Sequence, residues 1–278
     1  MASTCITLVL ILGTVFFVGD VVASDKGAVH WLEDISNIID EKPDFNYVQV
    51  DEWGSLHSSF AACSNGDRQS PVDINTYEVV VNKTLQGLER DYRVKSASLA
   101  TEGTQIEVFF SGVQGGLKID GKTYKLAQFH IHTPSEHLLN GVQYAAELHQ
   151  VHSAEDGSRA VVGVLFKYGP ASPFISKMMP QLKELAKTPC AGHKTSSAIA
   201  KFDTSFLRKW PRNYYRYHGS LTTPPCDENV LWSVLTEAKT ISREQVEALK
   251  APLCADNKKN ARPTQPLNGR KVQKYDQN

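Results

Sequence analysis

The sequence predicts a mainly β domain with a few short helices, built on one large and mostly antiparallel central sheet. Three observations carry this. Short β-rich runs crowd residues 69–168, Gly-containing turns separate them, and only three stretches of the chain have helical spacing. No composition shift divides the 278 residues, so a single domain follows.

The first helical stretch lies at 25–45. There Trp31, Leu32, Ile35, Ile38 and Ile39 share one face, and Asp40, Glu41 and Pro43 end it. Predicted strands follow at 79–81, 106–110, 117–119, 129–132, 147–152 and 161–166. They are punctuated by Gly115-Gly116, Asp120-Gly121, Asn140-Gly141 and Asp156-Gly157. A second helix is predicted over 174–187, with Phe174, Ile175, Met178, Met179, Leu182 and Leu185 on one side. Pro180 should kink or break it. A third covers Arg243 to Leu249, with Ser242 as its N-cap.

The N-terminus reads as a targeting segment. Residues 6–18 are an apolar run, and the small residues Ala23 and Ser24 follow it. The run is short for a membrane span, and no Lys or Arg precedes it. A buried N-terminal helix is the other reading. We expect a signal peptide at 1–23, a helical extension at 24–45 and a folded domain at 46–278. The expected destination is the cell exterior or a lumen derived from the secretory pathway. The C-terminal segment is polar, so no membrane anchor is expected there. Lys+Arg and Asp+Glu are both 30, and no basic stripe is visible, which argues against a nucleic-acid partner.

Cysteine usage agrees with export. Cys5 leaves with the leader, and Cys63, Cys190, Cys226 and Cys254 remain. Arithmetic alone allows every pairing among them. Asn82-Lys83-Thr84 is a glycosylation sequon.

The chemistry gathers at histidines. His130-Ile131-His132 lies in a β-rich run, so both imidazoles point to one face, roughly 7 Å apart at the backbone. The next run carries Glu147, His149 and Val151 on one face and Leu148, Gln150 and His152 on the other. An antiparallel neighbour can bring a third imidazole beside the first two, from His149 or from His152, with His137 a further competitor. Three imidazoles without a fourth protein ligand describe an open catalytic zinc site rather than a closed structural one, although copper, iron or nickel also suit imidazole.

These residues belong to longer blocks. Gln128 to His132, Ser135-Glu136-His137, Tyr144 to His152 and Gly219-Ser220-Leu221-Thr222-Thr223-Pro224-Pro225 resemble the α-class carbonic anhydrases. Gln69 to Ile74 and Asn260 to Leu267 bracket them in the expected order. The resemblance runs from about Tyr47 to Arg270 and implies the α-carbonic anhydrase fold. It also implies a Zn²⁺ cofactor on His130, His132 and His149, with Gln128, Glu147 and the Asn260 carbonyl holding the outer ring nitrogens. The implied reaction is reversible hydration of CO₂ to bicarbonate by zinc-bound hydroxide. Thr222 orients the nucleophile with Glu136 as its acceptor. Val151, Val161, Leu221 and Trp232 form an apolar wall, and Thr222 and Thr223 hold the product. Ester hydrolysis is expected as a side reaction. The resemblance further implies a Cys63–Cys226 disulfide and gives weaker support to Cys190–Cys254. Where many members carry a proton-shuttling histidine, Thr104 stands. A hydroxyl does not titrate near neutral pH, so slower or more buffer-dependent turnover is expected, with His57 a candidate stand-in. Thr133 and Ala261 replace frequent tryptophans. Because some members of the family serve as storage, matrix or binding proteins, a catalytically weak or inactive chain is the competing expectation.

Overall fold

Side-chain alternation along four central strands decides the architecture. The computed structural model describes residues 44–94, 96–199, 202 and 213–276. The leader expected at 1–23 lies outside the described residues, as does the extension expected at 24–45 apart from Asp44 and Phe45. Phe45–Asn278 forms one compact unit.

The unit is built on a thirteen-stranded sheet. Ten of its strands lie on one continuous path. In chain order they are β1 (Val80–Val81), β2 (Ser96–Thr101), β3 (Ile106–Ser111), β4 (Lys122–His132), β5 (Ala146–Ser153), β6 (Arg159–Tyr168), β7 (Thr195–Ile199), β8 (Tyr214–Ser220), β9 (Glu228–Leu235) and β10 (Gln273–Tyr275). Their order across the sheet is β7-β2-β3-β4-β5-β6-β9-β8-β10-β1. Most neighbours are antiparallel, as expected. The sheet is nevertheless mixed, because β6 runs parallel to β9 and to Lys239–Ile241, and β10 runs parallel to β1.

Phe129 and Ile131 of β4, Ala146 and Leu148 of β5, and Val162, Val164 and Phe166 of β6 share one core cluster. Phe174, Ile175, Leu182, Leu185, Val246 and Leu249 cover it from the helices. The alternate residues, His130, His132, Glu147, His149, Val151 and Val161, therefore face the other way. On that side a second cluster holds Val72, Ile74, Val161, Tyr217, Val230, Trp232 and Val234.

The segment predicted as one helix over 174–187 is two, Pro173–Ser176 and Met179–Leu185. Pro180 explains the break. It sits in the first turn of the second helix, where its missing N–H leaves no bond unmade. The last predicted helix spans Arg243–Lys250, and Ser242 and Gln245 close a capping box at its start. Among the described residues, no helix is long and apolar enough to cross a membrane.

Both disulfides are formed, Cys63–Cys226 and Cys190–Cys254. The first joins residues 163 apart, and a crosslink over so long a loop restricts the unfolded chain strongly. Replacing both Cys63 and Cys226 by Ser is expected to cost about 2–5 kcal/mol, read as a lowered denaturation midpoint.

His152 supplies a pH prediction. It is fully buried behind β5, with Nε2 against the Tyr92 hydroxyl (2.8 Å) and Nδ1 against the Ala160 carbonyl (3.1 Å). Burial lowers its pKa from 6.5 to about 4. Below about pH 6.5 the unfolded chain takes a proton that the folded chain refuses, so stability falls between about 6.5 and 4. The loss is on the order of 3 kcal/mol, and His152→Gln should flatten that part of the stability–pH curve.

Candidate metal centre

The antiparallel ladder between β4 and β5 pairs His149 with His130 and Glu147 with His132. Strand geometry therefore settles which third histidine joins the pair. His152 stays on the opposite face, and the extra residue that shifts the register lies beyond Val151. The ring centroids of His130, His132 and His149 are 4.9, 4.9 and 4.6 Å apart, and their candidate ligand atoms all lie within 4.8 Å of one another.

Two outer nitrogens have hydrogen-bond acceptors, and the third faces a carboxylate. Nδ1 of His130 meets Gln128 Oε1 at 2.9 Å, and Nδ1 of His132 meets the Asn260 carbonyl at 2.6 Å. Nε2 of His149 lies 3.0 Å from Glu147 Oε1. The inward nitrogens are then Nε2, Nε2 and Nδ1. Acceptors of this kind fix ring orientation and tautomer. His137 and Glu147 also approach His149, but both His137 nitrogens are engaged. Nδ1 bonds Glu147 Oε1 and Nε2 bonds the Tyr217 hydroxyl, each at 2.7 Å.

Burial, together with the neighbouring imidazoles, pushes His130 well below its usual range. Burial takes His132 down to about 4 and lowers His149 as well. All three are thus neutral donors at neutral pH. Burial alone would raise Glu147. His137 and His149 instead hold its carboxyl well below the usual range, and the amides of Glu136 and His137 donate to Oε2 at 3.0 and 2.8 Å.

The donor set fits a cation. Nε2 of His132 and Oε2 of Glu136 are buried without hydrogen-bond partners, 3.5 Å apart. Nε2 of His130 and Nδ1 of His149 face each other at 3.1 Å. Such a cluster of inward lone pairs is costly unless something positive occupies its centre. Zinc suits three imidazoles with an open position. Burial lifts Glu136 to about 7, against the pull of His149, the Thr222 hydroxyl and the Arg262 amide. Positive charge among the rings would oppose that rise and favour the carboxylate.

His130 and His149 open onto a cavity of about 200 Å³, and His132 lies buried behind them, outside its lining. Its lining includes the expected Gln128, His130, His149, Val151, Val161, Leu221, Thr222, Thr223 and Trp232. The Thr222 loop is fastened by reciprocal bonds between Ser70 and Ser220, by Trp232 Nε1 on the Ser220 carbonyl, and by the Cys63–Cys226 bridge. Thr104 is not among the lining residues, and its carbonyl accepts from Asn260 Nδ2 at 3.1 Å. Nor is His57, whose Nδ1 accepts from the Ser59 amide.

Three lining residues were not anticipated, namely Gln105, Glu107 and Arg159. Glu107 pairs with His130 across β3 and β4, so alternation in β3 carried the signal for it. Burial raises its carboxyl, and Gln105 Nε2 donates to it at 2.7 Å. Arg159 is held at 2.9 Å by Asp227, a residue far along the chain, and nothing local marks it.

The family model for eukaryotic-type carbonic anhydrase matches residues 49–276. Alpha carbonic anhydrase 7 of Arabidopsis thaliana is 38% identical over 242 residues, covering 85% of this chain and 86% of that protein. Dioscorin dioA3 of Dioscorea japonica is 35% identical over 248 residues, covering 87% and 89%. Among solved structures, dioscorin complexed with ascorbate is similar with a TM-score of 0.78 at 34% identity, covering 84% of this chain and 99% of that one. The alpha-carbonic anhydrase of Thermovibrio ammonificans, in complex with the inhibitor sulfanilamide, has a TM-score of 0.71 at 38% identity, covering 82% and 96%.

Gly163 tests the outer shell. It lies opposite His149, and a Cβ there would come 2.9 Å from Glu147 Oε1. Gly163→Ala should displace Glu147 and weaken zinc binding by about ten- to hundredfold in a chelator competition. Unchanged affinity would show that Glu147 does not hold His149.

Proposed function

The chain belongs to the eukaryotic-type carbonic anhydrase family, and from that premise we propose that it is a zinc enzyme interconverting carbon dioxide and bicarbonate. The observation that carries this reading is the convergence of three neutral imidazoles, one with an orphaned inward nitrogen and the other two lining a cavity with an apolar wall. His130, His132 and His149 would hold the metal, which when bound supplies Lewis acidity to water near neutral pH.

The protein's own groups do the rest. Gln128, Glu147 and the Asn260 carbonyl keep each ring in the tautomer whose inner nitrogen is a donor to metal. Glu136, as a carboxylate, accepts a hydrogen bond from the Thr222 hydroxyl. The Thr222 oxygen is then left as an acceptor that orients the attacking nucleophile. Val151, Val161, Leu221 and Trp232 give apolar CO₂ a place beside that nucleophile and keep excess water away. The Thr222 amide and Thr223 receive the product oxygens. Thr104 cannot take up and release a proton near neutral pH, so the proton leaves to dissolved buffer. Export through a leader at 1–23 completes the proposal, supported by the apolar run at 6–18 and by two disulfides.

The test is joint metal analysis and stopped-flow CO₂ hydration. Near-stoichiometric zinc and a rate that climbs with buffer concentration are expected, with sulfanilamide as an inhibitor. His149→Ala should remove both metal and activity. Thr222→Ala should keep the metal and lose about a hundredfold or more in kcat/KM. A high rate indifferent to buffer would refute the role given to Thr104.

A second reading, a binding protein without turnover, is favoured by the similarity to the dioscorin solved with ascorbate. Zinc-loaded chain that is silent in hydration but binds ascorbate in calorimetry would establish it.

A further inference from the structure

One edge of the large sheet is apolar and open. Among the described residues, β1 ends the strand order and pairs only with β10. The Val80 amide donates to the Val272 carbonyl and the Asn82 amide to the Lys274 carbonyl, each at 3.0 Å. Alternation then turns the Val81 amide and carbonyl outward, away from the sheet. Three of the seven large apolar side chains exposed among the described residues fall within this short segment: Tyr77 at 90%, Val80 at 47% and Val81 at 56%. An open edge of this kind is a template for pairing with a second chain. Its shortness, two residues, is the one guard the strand carries, since Val80 and Val81 are neither charged nor proline.

The next residue is Asn82, the acceptor of the Asn82-Lys83-Thr84 sequon. Its Oδ1 accepts from the Thr84 amide at 2.9 Å and from the Thr84 hydroxyl at 2.7 Å. Its Nδ2 donates to Gln273 Oε1 at 3.0 Å. Nδ2 has two hydrogens and this bond uses one, so the other can be replaced without breaking the tie to β10.

We propose that an N-linked glycan on Asn82 shields the β1 edge and keeps copies of this chain from pairing along it. This rests on the reading that the chain is exported. In the transfer, Nδ2 forms a C–N bond to the anomeric carbon of a lipid-pyrophosphate-linked oligosaccharide. The bond from that carbon to the pyrophosphate oxygen breaks, the lipid pyrophosphate departs with the electron pair, and the amide proton passes to a base of the transferase. The attached glycan is bulky and hydrated. It stands one residue from the open Val81 groups, which is where a second edge strand would have to dock.

The experiment uses the full chain expressed in a eukaryotic secretory host. Protein from the medium is digested, and peptide N-glycosidase treatment in isotope-labelled water marks occupied Asn82 by its conversion to a tagged aspartate. Occupancy in most molecules is expected. Exported chain with bare Asn82 overturns the proposal. Retention in the cell with residues 1–23 still attached overturns the export reading and the proposal with it. The second arm compares Asn82→Gln and Thr84→Ala with the glycosylated chain by light scattering at matched concentration, with thermal melts confirming that each is folded. Self-association should rise several-fold in both. Adding Val81→Lys to the Asn82→Gln chain should return it to the glycosylated level, because an edge charge replaces the glycan as the guard. Bare, folded variants as monodisperse as the glycosylated chain would overturn the shielding role.

Discussion

The register between β4 and β5 is the constraint on which the site depends. With His149 opposite His130 and Glu147 opposite His132, three imidazoles and one carboxylate share a face of the sheet. A slip of one residue would turn all of β5 over. It would bury His149 against the helices and bring Leu148 and Gln150 to the cavity. The pattern itself guards against that slip, because Ala146 and Leu148 are wholly buried on the other face. The apolar core therefore fixes the chemistry indirectly. Side chains that never touch the cavity decide which side chains do.

Behind the rings the structure is polar where a core is usually apolar. Glu147, His137, Tyr217, Ser70 and Ser220 form a continuous buried chain of hydrogen bonds from the imidazoles to the loop that carries Thr222. Each link satisfies a group that would otherwise be stranded away from water. The arrangement couples two parts of the site that the sequence keeps far apart. The orientation of His149 and the height of the Thr222 loop are set by one shared network. Gly163 belongs to the same economy of space, since its missing side chain is the room that Glu147 occupies.

Much of this was legible in the sequence, for identifiable reasons. Period-two alternation placed His130 with His132 on one face and His149 with Glu147 on another, and Ser242 announced its helix through capping chemistry. What alternation could not supply was the pairing of strands. Whether His149 or His152 joined the pair stayed open until the ladder settled it, and likeness to a known family had to arbitrate. Pro180 was correctly seen as an interruption, but its position in a first turn makes two helices rather than one kinked helix. Glu107 was within reach of the same alternation argument, but only the pairing of β3 with β4 sets it opposite His130. Arg159 is placed by Asp227, a contact that only the folded chain creates.

Asn260 and Arg262 hold the site together from near the end of the chain. The Asn260 carbonyl sets His132, the Arg262 amide caps Glu136, and the Arg262 guanidinium reaches Gln69, Ser70 and Cys63. During synthesis these anchors emerge after every imidazole and both partners of the Cys63–Cys226 bridge. A growing chain thus carries His132 without its orienting carbonyl until the Asn260 segment folds back beside it. A chain that stops short of Asn260 has the histidines but lacks the carbonyl that orients His132 and the amide that caps Glu136.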